Sequence, residues 1–373
     1  MDKGSDKQIY FKELNSLRFL GFLGIFFGHV FFSNNLDILN VRWYSLIVEY
    51  GKNLGFISLD SFFVLSSFLI TWKALEEYKF SKSFDLRKYI IRRSLRIWPL
   101  YFLIIFLGFS VKIFAAKFGT EVVNLPSIWS FLLFVLNFEI IENGYEFLFF
   151  MVFMWSISLE EQFYILWAII LKWLKKHLII ISFIFIASSI IFRILYIEDS
   201  LRLNFHTISS FGNFGFGALL AIFCFKQNQL LLKLKNLSKT KIVSCYFLIF
   251  IVFILCPILV KYHSFLVIKR LLFSVFYGFI ILEQTYCENS IFKLSKIKYF
   301  DFFGKLSYGL YCFHGIIITV FIYLTKEDTA SLFKSVIVYP TLILLFTLLI
   351  SFISYNYYEL RFLKLKNRFT KHY

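Results

Sequence analysis

Arg18 and His29 stand eleven residues apart in the stretch LRFLGFLGIFFGH, within a run apolar enough for a membrane helix. At 100° per residue, eleven steps end about 20° past three full turns, with a rise of roughly 16 Å. The two side chains therefore share one helix face, the arginine at the edge of the apolar run and the histidine deep inside it. Imidazole is suited to taking a hydroxyl proton near neutral pH. A guanidinium presents forked donors to phosphate or carboxylate. A snorkelling arginine and a hydrogen-bonded bundle histidine would account for either residue alone. Their alignment favours a joint function. Gly21, Gly24 and Gly28 on the same helix let neighbouring backbones approach closely.

The segment RKYIIRRSLRIWPLY carries Arg92, Arg93 and Arg96. Spacings of three and four put them on one flank of a helix. Topology alone favours positive charge at a span end, but lysine would serve that purpose equally well. Forked donors suit a multiply charged phosphate ligand. Pro99 then falls in the first turns of the following span, where a kink would open a cavity. In MWSISLEEQFYILW, Glu160 and Glu161 interrupt an apolar run, and both a structural ion pair and a catalytic role are open to them. Asp60, just before FFVLSSF, is a candidate either to orient His29 or to balance an arginine. Five cysteines (Cys224, Cys245, Cys256, Cys287, Cys312) form no CxxC pair. They read as small core residues, and no disulfide or metal site is expected.

Composition dictates the elements that must position these groups. Hydrophobic residues are 59% of the 373-residue chain and charged residues 17%, with 53 Phe and 4 Pro. A soluble fold cannot hide that much apolar surface, so the predicted class is all-α, a polytopic transmembrane helical bundle forming a single domain over 1–373. A secreted domain, a disordered chain and a nucleic-acid binder are excluded on the same ground. Spans of about 20 apolar residues are expected near 17–33, 56–73, 97–116, 149–171, 178–197, 206–225, 242–260, 271–286, 304–324 and 335–356. The run at 127–141 is short and acidic at its end, and reads as a buried or re-entrant helix. With ten crossings, 28 of the 40 Lys and Arg fall in segments on the side of the N-terminus. The positive-inside rule then puts both termini in the cytoplasm. Residues 1–16 are polar and no small-residue cleavage site follows the first span, so it reads as retained.

In order along the chain, these motifs resemble the membrane-bound acyltransferase family 3, whose members O-acylate sugars and other hydroxyl substrates. The resemblance rests on Arg18 with His29, on Asp60 to Phe68 (DSFFVLSSF), on Arg93-Ser-Leu-Arg96 with Pro99 and Tyr101, on Trp155 to Tyr164, and on Gly304 to His314. Departures are Ser67 for a family glycine, Phe313 for a common tryptophan, no proline after His314, and Arg361 for the proline of an ExPF pattern.

The resemblance implies an integral membrane enzyme, of the bacterial inner membrane, in the form without an SGNH hydrolase domain. The donor would be an acyl-CoA, in the first place acetyl-CoA, with no metal. His29 would be the general base, with an acyl-histidine intermediate as the alternative, and Glu160 and Asp60 are the further catalytic candidates. Arg18, Arg92, Arg93 and Arg96 would hold the donor phosphates, and Trp155, Glu161, Tyr308 and His314 would meet the substrate. Expected partners are a sugar or glycan acceptor, the lipid bilayer and glycan-assembly proteins, with no nucleic acid. Two other classes fit the residues: a polysaccharide transporter or flippase, for which the glycine-rich stretch 212–220 also speaks, and a non-catalytic accessory of polysaccharide synthesis.

Overall fold

A computed structural model describes residues 12–32, 36–117, 124–226, 233–325 and 331–369. The described residues form helices and connecting turns without a strand. The principal helices are α1 (Lys12–Val30), α2 (Arg42–Ser81), α3 (Leu86–Lys117), α4 (Ile128–Leu132), α5 (Leu136–Asn143), α6 (Trp155–Trp173), α7 (Leu178–Leu195), α8 (Thr207–Phe225), α9 (Lys239–Leu259), α10 (His263–Tyr286), α11 (Ser307–Leu324), α12 (Tyr339–Ser354) and α13 (Leu360–Asn367). A helix stands at each of the ten expected positions. Eight helical segments are long and apolar enough to cross a membrane by length and composition. The two long helices outside that group are α1 and α6, 19 residues each. They carry Glu13 and Arg18, and Glu160, Glu161 and Lys172, so part of the candidate chemistry sits on helices outside the apolar group.

At 40 residues α2 is the longest element, about 60 Å of helix against roughly 30 Å of bilayer hydrocarbon. It packs along α1 through small residues. A Cβ built on Gly28 would lie 2.9 Å from the Gly55 Cα and 3.1 Å from the Gly51 carbonyl oxygen. Lipid tails are as apolar as leucine, so such close backbone contact is what holds two membrane helices together. Gly28→Val should force α1 off α2 and destabilise the protein by about 1–3 kcal/mol. An unchanged unfolding midpoint in detergent would show that the contact yields freely.

The 127–141 region is helical and buried on one face only, with Trp129 and Leu133 exposed, and it is broken in two. Phe131, Leu136, Asn137 and Ile140 are fully enclosed. Between α4 and α5, Phe134 adopts φ 54°, a conformation uncommon outside glycine. Its ring packs on Tyr101 and Trp98, and the Gln162 amide of α6 donates to its carbonyl at 2.6 Å. Tertiary packing, with no Gly or Pro, breaks this helix.

Candidate active site

Arg18 of α1, Arg93 and Arg96 of α3, and Glu160 of α6 converge on one chamber of about 90 Å³. By volume this is room for several waters. Ser66 of α2, Ser156 and Tyr164 of α6, and Ser307, Tyr308 and Tyr311 of α11 complete its polar lining. Three guanidinium groups face one carboxylate, so the chamber attracts anions. Arg18 donates to Asn15 Oδ1 at 3.1 Å. The Arg93 guanidinium lies 4.9 Å from the Tyr164 ring centroid, a cation–π contact. Glu160 is held by two hydroxyls, Tyr164 donating at 2.7 Å and Ser66 at 3.2 Å. Tyr308 turns its hydroxyl to the Ile97 carbonyl at 2.8 Å.

His29 lies further along α1. Its Nδ1 is 3.2 Å from Nε2 of His314, and its ring stacks on Phe153 at 4.3 Å between centroids. His314 is fully enclosed, with Nδ1 2.5 Å from the Tyr311 carbonyl oxygen. A carbonyl oxygen only accepts, so Nδ1 of His314 must carry a proton. In the neutral ring Nε2 is then the acceptor, and His29 must donate from Nδ1. The relay leaves the lone pair of His29 on Nε2. His29 keeps part of its surface open but does not line the chamber. The chamber reaches Ile25, one turn short of it on α1, and Ser156 and Tyr311. The Tyr311 hydroxyl lies 2.6 Å from Ser156 Oγ and donates to the Phe153 carbonyl at 2.8 Å. Tyr311 thus joins the chamber wall to the histidine pair.

The other expected site residues are placed differently. His314, expected at the substrate, has both ring nitrogens engaged and stands behind His29. Arg92 leaves the chamber: it bonds Glu77 at 3.3 Å and the Phe369 carbonyl at 3.0 Å, tying α3 to α2 and to the segment after α13. Glu161 is one residue round the helix from Glu160, buried, and accepts from Trp98 Nε1 at 3.2 Å. Trp155 is buried edge-on against Phe205, outside the chamber lining. Asp60 is not brought to His29. Ser58 and Phe62 face α1, and a residue two positions from either is about 200° round the helix. Asp60 therefore points away and forms a forked pair with Arg270 of α10, Nε donating at 3.0 and 3.1 Å and Nη2 completing the fork. Tyr311, Tyr164, Ser66, Ser156 and Arg270 were not singled out from sequence. All but Arg270 lie inside the stretches that carry the family resemblance, Ser66 in Asp60 to Phe68, Ser156 and Tyr164 in Trp155 to Tyr164, and Tyr311 in Gly304 to His314, so those four had a signal and Arg270 had none. Among the described residues, no group of three or more His, Cys, Asp or Glu could hold a metal ion.

A family model described as "Acyltransferase domain" matches residues 11–356. The chain is similar to the peptidoglycan O-acetyltransferase OatA of Listeria monocytogenes, 29% identical over 307 residues, covering 76% of this chain and 48% of the relative. The putative peptidoglycan O-acetyltransferase YrhL of Bacillus subtilis is 26% identical over 312 residues, 76% of this chain and 47% of its own length. A putative O-acetyltransferase of Staphylococcus aureus (strain COL) is 29% identical over 338 residues, 84% of this chain and 51% of its own. The chain therefore spans about half the length of these relatives. No solved structure matches it. With the arginine-lined chamber and the hydrogen-bonded histidine pair set on a helical bundle, and the match running nearly end to end, this chain belongs to the acyltransferase family 3 of membrane proteins.

Proposed function

We propose that the protein is a membrane O-acetyltransferase that moves an acetyl group from acetyl-CoA to a hydroxyl of a glycan, with His29 as general base. The observation that carries this reading is the hydrogen-bond order from the Tyr311 carbonyl through His314 to His29, which leaves Nε2 of His29 free to take a proton. Nε2 removes the proton of the acceptor hydroxyl, and the oxygen attacks the thioester carbonyl. The C–S bond then breaks, and the imidazolium returns the proton to the departing thiolate. His314 holds the ring and its tautomer throughout.

In this reading the donor phosphates occupy the chamber, against Arg18, Arg93 and Arg96, at the cytoplasmic end of the bundle. The pantetheine arm rises along α1 past Ile25 and between Ser156 and Tyr311 to the histidine. The relatives' names support a wall glycan as the acceptor class. Incubating the purified protein with labelled acetyl-CoA and glycan fragments tests the reading. An acetylated glycan is expected, whereas movement of unmodified glycan across a vesicle would favour a flippase.

The phosphate assignment has its own expected result. Arg93→Ala and Arg96→Ala each remove charge-assisted bonds worth about 1.5–3 kcal/mol, so the apparent KM for acetyl-CoA should rise roughly ten- to a hundredfold. Lysine at either position restores the charge without the fork and should recover only part of the loss. A rise confined to the acceptor KM would remove the assignment.

A further inference from the structure

A second cavity, of about 420 Å³, lies between α2, α7 and α10 on the far side of α2 from His29. Its size is that of a ligand site. The charges buried in it do not balance. Arg193 of α7 is 4% exposed, and its donors end on the carbonyls of Val267, Leu203 and Leu266 and on Ser209 Oγ, with no carboxylate among its hydrogen-bond partners. Lys269 donates to Asn53 Oδ1 at 2.9 Å. Arg270 is the third cation, and Asp60 is the only carboxylate among these buried groups, forked onto Arg270. The remaining charged lining sits at the rim. Glu49 and Lys52 are exposed, and Glu198 pairs with His263 at 3.4 Å with both side chains mostly exposed. Solvent screens those rim groups, whereas the buried excess of positive charge is screened little.

We propose that this cavity binds an anionic group, a carboxylate or phosphate, carried by the glycan acceptor; the inference rests on the acetyltransferase reading above. An ammonium has three donors, and Lys269 gives one to Asn53, leaving donor capacity for an incoming oxyanion. Arg193, with four of its five donors already bonded, contributes mainly charge. Asn53, Ser200 and Asn204 supply partners for sugar hydroxyls, and Phe56 and Phe273 supply flat apolar faces. The height is right for an acceptor. Gly28, beside His29, packs on Gly51 and Gly55, within the stretch of α2 from Glu49 to Asp60 that lines the cavity. Only the thickness of one helix, about 10–12 Å with its side chains, separates the two. An acidic oligosaccharide anchored here can offer a neutral hydroxyl to His29 around the end of α2. The same oxyanion chemistry could come from a phospholipid headgroup, which the test distinguishes.

The test is a binding titration of the whole protein in phosphatidylcholine nanodiscs. The probes are a uronic-acid oligosaccharide and its carboxyl-reduced neutral counterpart. Wild type and His29→Ala should both prefer the acidic form. Lys269→Gln should lose about tenfold of that preference, the value of one charge-assisted contact, and Lys269→Arg should retain it. Affinity for the neutral sugar should be unchanged throughout. An undiminished preference in Lys269→Gln overturns the proposal. Binding that responds only to phosphatidylglycerol in the nanodisc, and not to the acidic sugar, assigns the cavity to lipid and overturns it too. Lys269-dependent binding without acetyl transfer would support the cavity while rejecting the enzyme reading. Transfer that ignores both acceptor charge and Lys269 would do the reverse.

Discussion

His29→Ala should lower acetyl transfer by about 10²–10⁴-fold, the usual contribution of a positioned general base, while the protein still inserts and purifies as wild type. Retention of the fold is expected because His29 is partly exposed near the end of α1 and, among the described residues, makes one polar contact, to His314. The relay adds a finer expectation. His314 touches no substrate in this scheme; it fixes which nitrogen of His29 carries the proton. Glutamine at 314 keeps an acceptor for His29 Nδ1 and should preserve more activity than alanine, with the difference falling on kcat and not on either KM. Labelled-acetate transfer by the purified variants, alongside their elution profiles, measures both effects. Near-normal product from His29→Ala would leave the histidine pair as a structural hydrogen bond.

The helical periodicity that aligned Arg18 with His29 is a local property of the chain, so sequence revealed it. So were the span positions, because a long apolar run is helical in a bilayer whatever its neighbours. Arg92 shows where local reasoning stops. It is closer in angle to Arg96 than Arg93 is, yet it leaves the chamber because Glu77, on the preceding helix, and the Phe369 carbonyl are within reach. The pairing of His29 with His314 spans 285 residues, and that of Asp60 with Arg270 spans 210. Nothing in either motif names its partner. Hydropathy is also blind where function is densest: α1 and α6 fall outside the apolar group, and they carry Arg18 and Glu160 of the chamber among their polar residues. The break at Phe134 has no sequence signal, since Tyr101, Trp98 and Gln162 of other helices hold that backbone.

Asp60→Ala should destabilise the protein by about 3–5 kcal/mol, the cost of stranding one partner of a buried ion pair. The side chains of Arg270 and Asp60 are 11% and 9% exposed, and removing the carboxylate leaves the guanidinium beside Arg193 and Lys269 with no buried counter-charge. Two roles for Asp60 make opposite forecasts. If it oriented His29, alanine would reduce kcat in a protein of normal stability. If it anchors Arg270, the unfolding midpoint in detergent falls, and activity per folded molecule changes little when the acceptor is neutral. The forked geometry onto Arg270, on the face of α2 turned from α1, favours the second. A double replacement sharpens the test, because replacing both partners by apolar residues of similar volume is often neutral. Asp60→Leu with Arg270→Met should therefore recover most of the stability lost by Asp60→Ala. If the double variant is as unstable as the single one, the missing stability comes from something other than the ion pair. If Asp60→Ala instead folds normally and stops turning over neutral acceptors, the carboxylate acts on the histidine after all.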